Sequence, residues 1–183
     1  MGSRKDFVSS NTFKNLQAAY EAEIKASMKY HIYAKKAKED GYIQIGTIFD
    51  ETSMNEREHA EIWLKLMKGG KLPTTLDNLK DSYSSENYEW TNMYIEFAQE
   101  ARKEGYEEIA ELFEGVASVE RHHDSRFRKL ASNIMSDSVY NKKTNVLWIC
   151  ISCGNLFYGV SAPEPCPVCG GSQEYYELNK DNY

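Results

Sequence analysis

One short motif, Glu-x-x-His, occurs twice in the chain, at Glu56–His59 and at Glu120–His123. In a helix, residues three positions apart lie on one face about a turn apart, so each motif directs a carboxylate and an imidazole the same way. These ligands suit iron or manganese and, less specifically, zinc. Two such motifs, with one Glu from each of two other helices, are typical of di-iron or di-manganese four-helix bundles. The pair of motifs therefore predicts a helical bundle built around two metal ions.

Four long segments have the periodicity of bundle helices, with apolar residues at steps of three and four. They are predicted at about residues 12–39, 42–67, 86–104 and 107–135. Gly41 and Gly105 are expected to end the first and third helices, because glycine readily adopts the left-handed cap conformation. Ser84 or Ser85 is expected to cap the third helix. The connection before it, to about Tyr83, is long and typical of the crossover in a ferritin-like bundle.

Three glutamates outside the motifs are candidate ligands. Glu23 interrupts the inward stripe of the first helix, where an unpaired carboxylate costs several kcal/mol and requires a cation. The alternative is that the stripe lies one position away and Glu23 is solvated. Glu86 and Glu89 lie three positions apart at the start of the third helix, where acidic residues also favour the helix dipole without any metal. His31 and His122 lie beside the inward stripes and receive no ligand role.

The two halves of the helical region match each other with a shift of 64 residues. The matched pairs are Tyr30 and Tyr94, Gly41 and Gly105, Glu56 and Glu120, and His59 and His123. This repeat implies a pseudo-twofold axis with a shared site. The match fails at Glu23, which maps to Asn87, between Glu86 and Glu89. Because a slip of one residue rotates a helical side chain by about 100°, we predict a local irregularity such as a π-bulge in the third helix.

The composition changes after a polar segment at residues 136–143, which is interpreted as a linker. Two Cys-x-x-Cys-Gly sequences follow, with the cysteines Cys150, Cys153, Cys166 and Cys169. The glycine after each pair allows the backbone to turn with positive φ close to the sulfurs. A β module of about 40 residues cannot bury much of a core and requires its metal to fold. Four thiolates favour zinc or iron, and the ligands alone leave both open.

Charge and hydropathy exclude several classes of function. The net charge of -6 argues against a nucleic-acid-binding protein, because phosphates require a basic face. No apolar run reaches the ~18 residues that a membrane span needs. The start of the chain, Met1–Asp6, has no apolar signal core behind it. We therefore expect a soluble intracellular protein whose cysteines are reduced and bind metal rather than form disulfides.

The sequence resembles the rubrerythrin family over nearly its whole length. The matching stretches are Ile48–Thr52, Glu56–Ala60, Glu86–Tyr94, Glu104–Ala110 and the two cysteine sequences. The resemblance implies a mainly α protein with a ferritin-like four-helix di-iron bundle at residues 1–143 and a small rubredoxin-like β domain at residues 144–183. Two positions depart from the usual family pattern, Ala22–Lys25 around the first glutamate and Asn155 after the first cysteine pair, where an aromatic residue is frequent.

The resemblance also implies the role of each ligand. Glu56 and Glu120 bridge two irons, Glu23 and Glu86 are terminal carboxylates, and His123 binds one iron. Glu89 is an additional carboxylate, which one iron exchanges for His59 on reduction. The four cysteines bind a single iron. Separately from the resemblance, we expect Tyr30 and Tyr94 on inner faces of the bundle, where they either hydrogen-bond the carboxylates or a bound peroxide, or simply pack in the core.

The activity implied by the resemblance is the reduction of hydrogen peroxide to water in the cytoplasm. Electrons enter through the rubredoxin-like iron from rubredoxin or from an NAD(P)H reductase. Subunits form a homodimer or a higher homo-oligomer, with the four-cysteine iron of one chain near the di-iron site of another. The alternatives are a ferroxidase or iron-storage protein and a zinc-ribbon interaction protein on a helical scaffold. The four-cysteine module argues against storage, which needs no dedicated electron donor.

Overall fold

The computed structural model describes residues 4–180, so the two ends of the predicted domains, residues 1–3 and 181–183, lie outside it. The chain divides into two compact units, Met1–Pro73 and Thr74–Tyr183. The helical part of each unit contains an antiparallel pair of long helices, and the second unit also carries a small antiparallel sheet. The mainly α architecture, with a small C-terminal β structure, is therefore confirmed.

The first unit consists of a short helix α1 (Arg4–Val8) and the hairpin of α2 (Asn11–Glu39) and α3 (Ile43–Met67). Ser10 caps α2 by accepting a hydrogen bond from the N–H of Phe13 at 3.1 Å. Gly41 has φ +86°, so the predicted left-handed turn between the helices is confirmed. Midway along the hairpin, the Ser27 hydroxyl donates to the Ser53 carbonyl, and the Ser53 hydroxyl donates to the Ser27 carbonyl, both at 2.8 Å.

The second unit begins with α4 (Thr75–Tyr88), which starts eleven residues before the predicted position. The long connection to Tyr83 was therefore wrong, and residues 68–74 alone link α3 to α4. Thr74 is the N-cap residue, because its hydroxyl accepts a hydrogen bond from the N–H of Asp77 at 3.2 Å. The negative charge of Asp77 in the first turn also interacts favourably with the helix dipole. Ser84 lies inside the helix and donates back to the carbonyl of Lys80.

A π-helix (Glu89–Met93) continues α4 into α5 (Tyr94–Lys103), so the predicted irregularity is confirmed. The N–H of Tyr94 bonds to the carbonyl of Glu89, five residues back, instead of the usual four. Gly105 has φ +86° and ends this long helix as predicted. The last helix, α6, spans Glu107–Met135, as the periodicity predicted.

The repeat of 64 residues reappears in the packing of aromatic rings. Phe49 lies 6.0 Å from Tyr30 and 5.7 Å from Tyr33, measured between ring centroids. In the second unit, Phe113 lies 6.0 Å from Tyr94 and 5.6 Å from Phe97. These three pairs of residues are related by the same shift, so each hairpin builds the same aromatic cluster on its own.

The C-terminal sheet has the strand order β2-β1-β3, with β1 at Asn141–Cys150, β2 at Leu156–Ser161 and β3 at Tyr176–Leu178. Strand β1 begins inside the segment interpreted as a linker, because Asn141 pairs with Ser161. The indole N–H of the fully buried Trp148 donates to the Gly159 carbonyl at 3.0 Å. Within residues 4–180, none of the helices is long and apolar enough to span a membrane.

Candidate metal centres

The first unit brings together Glu23, Glu56 and His59, each of which offers a ligand atom within 4.8 Å of the others. The helices set this geometry, because Glu56 and His59 are one turn apart on α3 while Glu23 faces them from α2. The His59 Nδ1 lies 2.9 Å from Glu56 and 3.9 Å from Glu23. The Glu23 carboxylate is only 25% exposed, so it lies on the ligand face and not in bulk solvent.

The second unit brings together Glu86, Glu120 and His123 in the same manner, again within 4.8 Å. The His123 Nδ1 lies 2.7 Å from Glu120 and 3.5 Å from Glu86. Burial raises the pKa of Glu86, and the hydrogen bond and like charge of Glu120 raise it further. Without a cation, Glu86 therefore binds a proton more readily than an ordinary glutamate, because its pKa is raised. A divalent cation would replace that proton, as ligation requires deprotonated carboxylates.

The π-helix explains why the repeat fails at one ligand. Glu86 occupies in the second group the place that Glu23 occupies in the first, although the two are 63 residues apart and the other ligands are 64 apart. The extra residue between Glu86 and Tyr94 is absorbed by the π-helix that begins at Glu89. The irregularity thus keeps both Glu86 and Tyr94 on the inner face.

Glu89 and Tyr94 lie close to the second group but outside its three ligands. Glu89 contributes to the raised pKa of Glu86. Burial raises the pKa of Tyr94, followed by the charges of Glu89, Glu120 and Glu86. The Tyr94 hydroxyl therefore stays protonated and lies within the field of those carboxylates. The Tyr30 ring is half-buried and packs against Phe49.

Asp124 is a buried charge that the sequence analysis missed. Its carboxylate accepts hydrogen bonds at 3.1 Å from Asn87 and from the Trp90 indole, and another at 2.5 Å from Arg128. Burial opposes the charged form, but these three donors hold the pKa of Asp124 below its usual value. Asn87 and Trp90 lie on either side of Glu89 in the chain, and Asp124 directly follows His123 on α6. The two hydrogen bonds therefore connect the start of the π-helix to α6. An acidic residue directly after the second motif does not by itself indicate burial, so the sequence offered no usable signal for this role.

Replacing Asp124 with Asn is expected to lower the free energy of unfolding by about 2 kcal/mol, since charge-assisted hydrogen bonds to a buried acceptor are lost. We also expect iron affinity of the second group to fall about tenfold or more, as supporting residues orient ligands. Chemical denaturation and iron titration measure the two effects. Glu111→Gln removes one charge from an exposed position of the same helix and serves as control. If D124N and E111Q behave alike, Asp124 does not position the site.

The four cysteines form the third group, and all are free of disulfides. The Sγ atoms of Cys150 and Cys169 are 3.9 Å apart, and those of Cys153 and Cys166 are 3.8 Å apart. Two sulfurs placed ~2.3 Å from one metal at a tetrahedral angle lie about 3.8 Å apart, so the spacing fits a single tetrahedral ion. Gly154 and Gly170 have φ +78° and +72° and complete the two turns.

Asn155, which follows Gly154 after the first cysteine pair, joins a hydrogen-bond chain to one of these sulfurs. Its amide donates to the Tyr176 hydroxyl at 2.9 Å, and Tyr176 is hydrogen-bonded to Cys166. The bond from Tyr176, together with backbone bonds, lowers the pKa of Cys166. Burial and the Cys166 sulfur raise the pKa of Tyr176 to about 12. The phenol therefore keeps its proton and stabilises negative charge on the thiolate.

Replacing Tyr176 with Phe is expected to lower the reduction potential of a four-cysteine iron by about 50 mV. The reduced centre carries one more negative charge than the oxidised one, so it loses more when the O–H donor is removed. A redox titration followed by visible absorbance measures this potential. Tyr158→Phe, at an exposed position of β2, is the matched control. An unchanged potential in Y176F would show that the hydrogen bond has no electronic effect.

The fold and these groups define a class of protein. Helical hairpins bearing duplicated Glu, Glu and His ligands belong to the ferritin-like carboxylate proteins that bind two metal ions, and the four-cysteine sheet is a mononuclear thiolate site. The acidic and imidazole ligands fit an iron pair, and the sulfur spacing fits one further iron. This chain is thus a ferritin-like di-metal protein with an appended rubredoxin-like module.

Comparisons with known proteins agree with this class. The family model described as rubrerythrin matches residues 14–131 and 77–147, and the model for the rubrerythrin rubredoxin-like domain matches residues 148–177. Rubrerythrin-1 of Clostridium acetobutylicum is 37% identical over 98% of this chain and 100% of its own. Rubrerythrin of Nitratidesulfovibrio vulgaris is 38% identical over 95% and 97%, and a putative rubrerythrin of Methanocaldococcus jannaschii is 39% identical over 94% of each chain. The chain belongs to the rubrerythrin family.

Family membership and the three ligand groups together establish the cofactors as a di-iron centre and one iron in the four-cysteine site. The protein is thus a di-iron protein of oxidative stress defence. When bound, the iron pair supplies two electrons at one place and polarises an oxygen–oxygen bond as a Lewis acid. The four-cysteine iron carries one electron at a time.

Proposed function

We propose that this protein is a peroxidase that reduces hydrogen peroxide to water. The reaction consumes one peroxide, two electrons and two protons and releases two water molecules. The observation that best supports this proposal is the π-helix, in which Glu89 lies near Glu86 and Tyr94 while Glu86 remains on the ligand face. A simple ferroxidase site needs neither this additional carboxylate nor the four-cysteine centre that the same chain provides.

The candidate ligands include both negatively charged carboxylates and neutral imidazoles, and this difference in charge suits a redox cycle. Glu23, Glu56, Glu86, Glu89 and Glu120 offer five negative charges, which favour the oxidised, more positive pair. His59, which is 51% exposed, offers a neutral ligand in place of Glu89 when the metal charge falls. We propose that Glu56, Glu120 and His123 would hold the iron pair in both oxidation states, and that Glu89 would suit the oxidised pair and His59 the reduced one.

Tyr94 is proposed to act as a hydrogen-bond donor on the inner face. Its raised pKa, caused first by burial and then by three carboxylates, keeps the phenol protonated. A protonated phenol donates a hydrogen bond to a bound peroxide or to a ligand carboxylate and stabilises charge that develops on oxygen. Tyr30, its counterpart in the repeat, is proposed to act in the same way on the other half of the centre.

Electrons are proposed to enter through the four-cysteine iron and pass to the iron pair. Cys153 and Cys169 are exposed whereas Cys150 and Cys166 are buried, so one side of this centre faces an incoming donor. The proposed donors are rubredoxin or an NAD(P)H reductase, and the proposed location is the cytoplasm. The proposed assembly is a homodimer or a higher homo-oligomer.

Glu89→Ala is the variant that tests the peroxidase proposal. We expect iron to remain bound, because the two three-ligand groups are intact, while peroxide turnover falls at least about tenfold. The measurements are iron content and steady-state consumption of peroxide with a reducing system. Glu96→Ala removes a carboxylate from α5 outside the ligand groups and is the control. Wild-type turnover in E89A would contradict the proposed ligand exchange. Rapid oxidation of iron by oxygen, without turnover of peroxide, would favour the alternative function as a ferroxidase.

A further inference from the structure

We infer that the second unit binds a reduced flavin that carries a phosphate, in a pocket beside the four-cysteine site, and takes electrons from it. The inference rests on the proposed function, because it names the chemical class of the electron donor for that reaction. The pocket has a volume of about 460 Å³ and is lined by residues of α4, α6, β1 and β3. This volume lies in the range of sites that bind small organic molecules.

The wall of the pocket is mainly apolar. Covering it would remove apolar surface from water, because four of its side chains are 37–44% exposed: Leu130, Ile134, Val139 and Leu178. Burial of such surface is favourable, and sites for small ligands typically combine an apolar wall with a few polar groups. An apolar ring system therefore fits the body of the pocket.

Tyr176 connects this pocket with the four-cysteine site. The residue is 4% exposed and forms part of the pocket wall, while its hydroxyl is hydrogen-bonded to Cys166. A molecule in the pocket would therefore be separated from a sulfur ligand by a single side chain. Because an iron in the four-cysteine site carries one electron at a time, this position suits an electron donor.

The charged residues of the wall indicate that the donor carries an anionic group. Lys142 and Lys180 bring two positive charges and Glu177 brings one negative charge, in a chain whose net charge is -6. The Nζ atom of Lys142 lies 5.9 Å from the centre of the Trp148 ring, which helps to hold its position, and Lys180 is exposed. Lysine is a frequent ligand of phosphate groups in proteins, so a phosphate fits this rim.

A flavin mononucleotide (FMN) combines these properties. It joins a planar ring system to a phosphate, and flavins carry out one-electron as well as hydride chemistry, whereas a nicotinamide transfers a hydride. On oxidation, reduced FMN (FMNH2) releases two electrons and two protons. Each electron would reduce the four-cysteine iron once, from ferric to ferrous, and the protons pass to solvent. One FMNH2 thus supplies the two electrons that the reduction of one peroxide consumes.

Binding of FMN and reduction by FMNH2 test the proposal on the purified, iron-loaded full chain. We expect equilibrium dialysis to show one FMN per chain, with an affinity that falls as salt is added, because charge holds the phosphate. Riboflavin, which lacks the phosphate, should bind at least about tenfold more weakly. Without oxygen, the rate at which FMNH2 bleaches the four-cysteine absorbance should level off at high FMNH2, because the pocket becomes saturated.

Three substitutions separate the pocket from general effects on the chain. Ile134→Trp fills the pocket and should weaken FMN binding at least about tenfold. Val119→Trp places the same side chain at an exposed position of α6 outside the pocket and should leave binding unchanged. Lys180→Glu reverses one charge of the rim and should weaken binding of FMN about tenfold but affect riboflavin little. The four-cysteine absorbance reports that each variant is folded.

The proposal is overturned if the parent binds no FMN, if I134W binds FMN as well as V119W does, or if the bleaching rate rises in proportion to FMNH2 without levelling off. The last result would place electron entry at the exposed cysteines. Absence of FMN binding, with a changed oligomeric state in I134W, would assign the pocket to an interface between copies of the chain and also overturn the proposal. A parent that binds FMN and is reduced by FMNH2, but does not turn over peroxide, would support this inference and contradict the proposed function.

Discussion

Cys153→Ser is expected to reduce donor-driven peroxide turnover by about 100-fold while leaving the iron pair able to react. Cys153 supplies one of four thiolates, and its sulfur lies 3.8 Å from that of Cys166. A serine oxygen is a poor substitute for a soft thiolate ligand. The site therefore either loses its iron or holds it at a changed reduction potential. Electrons from an outside donor then have no route to the ligand groups on the helices.

The decisive readout for this variant is the contrast between two assays. Turnover with an electron donor should be lost, whereas chemically reduced protein should still be oxidised by one equivalent of peroxide. Ser152→Ala, at the neighbouring position, is the control for local disturbance of the turn. Normal donor-driven turnover in C153S would show that electrons bypass the four-cysteine site.

Glu120→Ala is expected to abolish iron binding by the second group and to lower peroxide turnover by at least about 100-fold. Glu120 is the most central ligand of that group, since it contacts His123 at 2.7 Å and shares a hydrogen bond with Glu86. In the metal-free variant, the pKa of Glu86 should fall, because the like charge and hydrogen bond of Glu120 no longer raise it. It should stay above its usual value, because Glu86 remains partly buried.

Iron content, turnover and a carboxyl titration by NMR measure these effects. Glu111→Ala removes an exposed carboxylate from the same helix and should leave all three unchanged. The prediction fails if E120A retains two irons in the pair, or if the pKa of Glu86 in the metal-free variant stays as high as in the parent.

Most of the helical fold could be predicted from the sequence because its signals are local. The stripes of α2, α3 and α6 follow a period of 3.6 residues, and Gly41 and Gly105 mark the turns. The π-helix was predictable for a different reason. The repeat of 64 residues aligned Glu56 and Tyr30 with their counterparts but left Glu23 opposite Asn87, so one extra residue had to be accommodated before Tyr94.

The start of α4 was predicted wrongly because two signals competed. Lys71–Thr75 contains a proline and two threonines, which favours a loop, whereas the short stripe of Leu76, Leu79 and Tyr83 that follows favours a helix. The Thr74 cap and Asp77 are weak signals by comparison, yet they begin the helix.

The buried network of Asp124 could not be predicted from the sequence. Its three donors are Asn87, Trp90 and Arg128, of which two come from another helix and become neighbours only through the packing of α4 on α6. The same is true of the Asn155–Tyr176–Cys166 chain, which links residues up to 21 positions apart. Candidate ligands can be predicted from motifs and helical periodicity, whereas the residues that contact them are fixed by tertiary packing.

The most direct test of the proposed peroxidase is the visible spectrum and metal content of the purified protein, before and after stoichiometric peroxide is added to the reduced form. We predict about three irons per chain. The thiolate-to-iron absorbance of the four-cysteine site, bleached on reduction, should return when peroxide is added, because electrons flow from that iron to the iron pair and on to peroxide. Zinc in the four-cysteine site, or an iron-loaded protein that peroxide does not reoxidise, would contradict the proposed function.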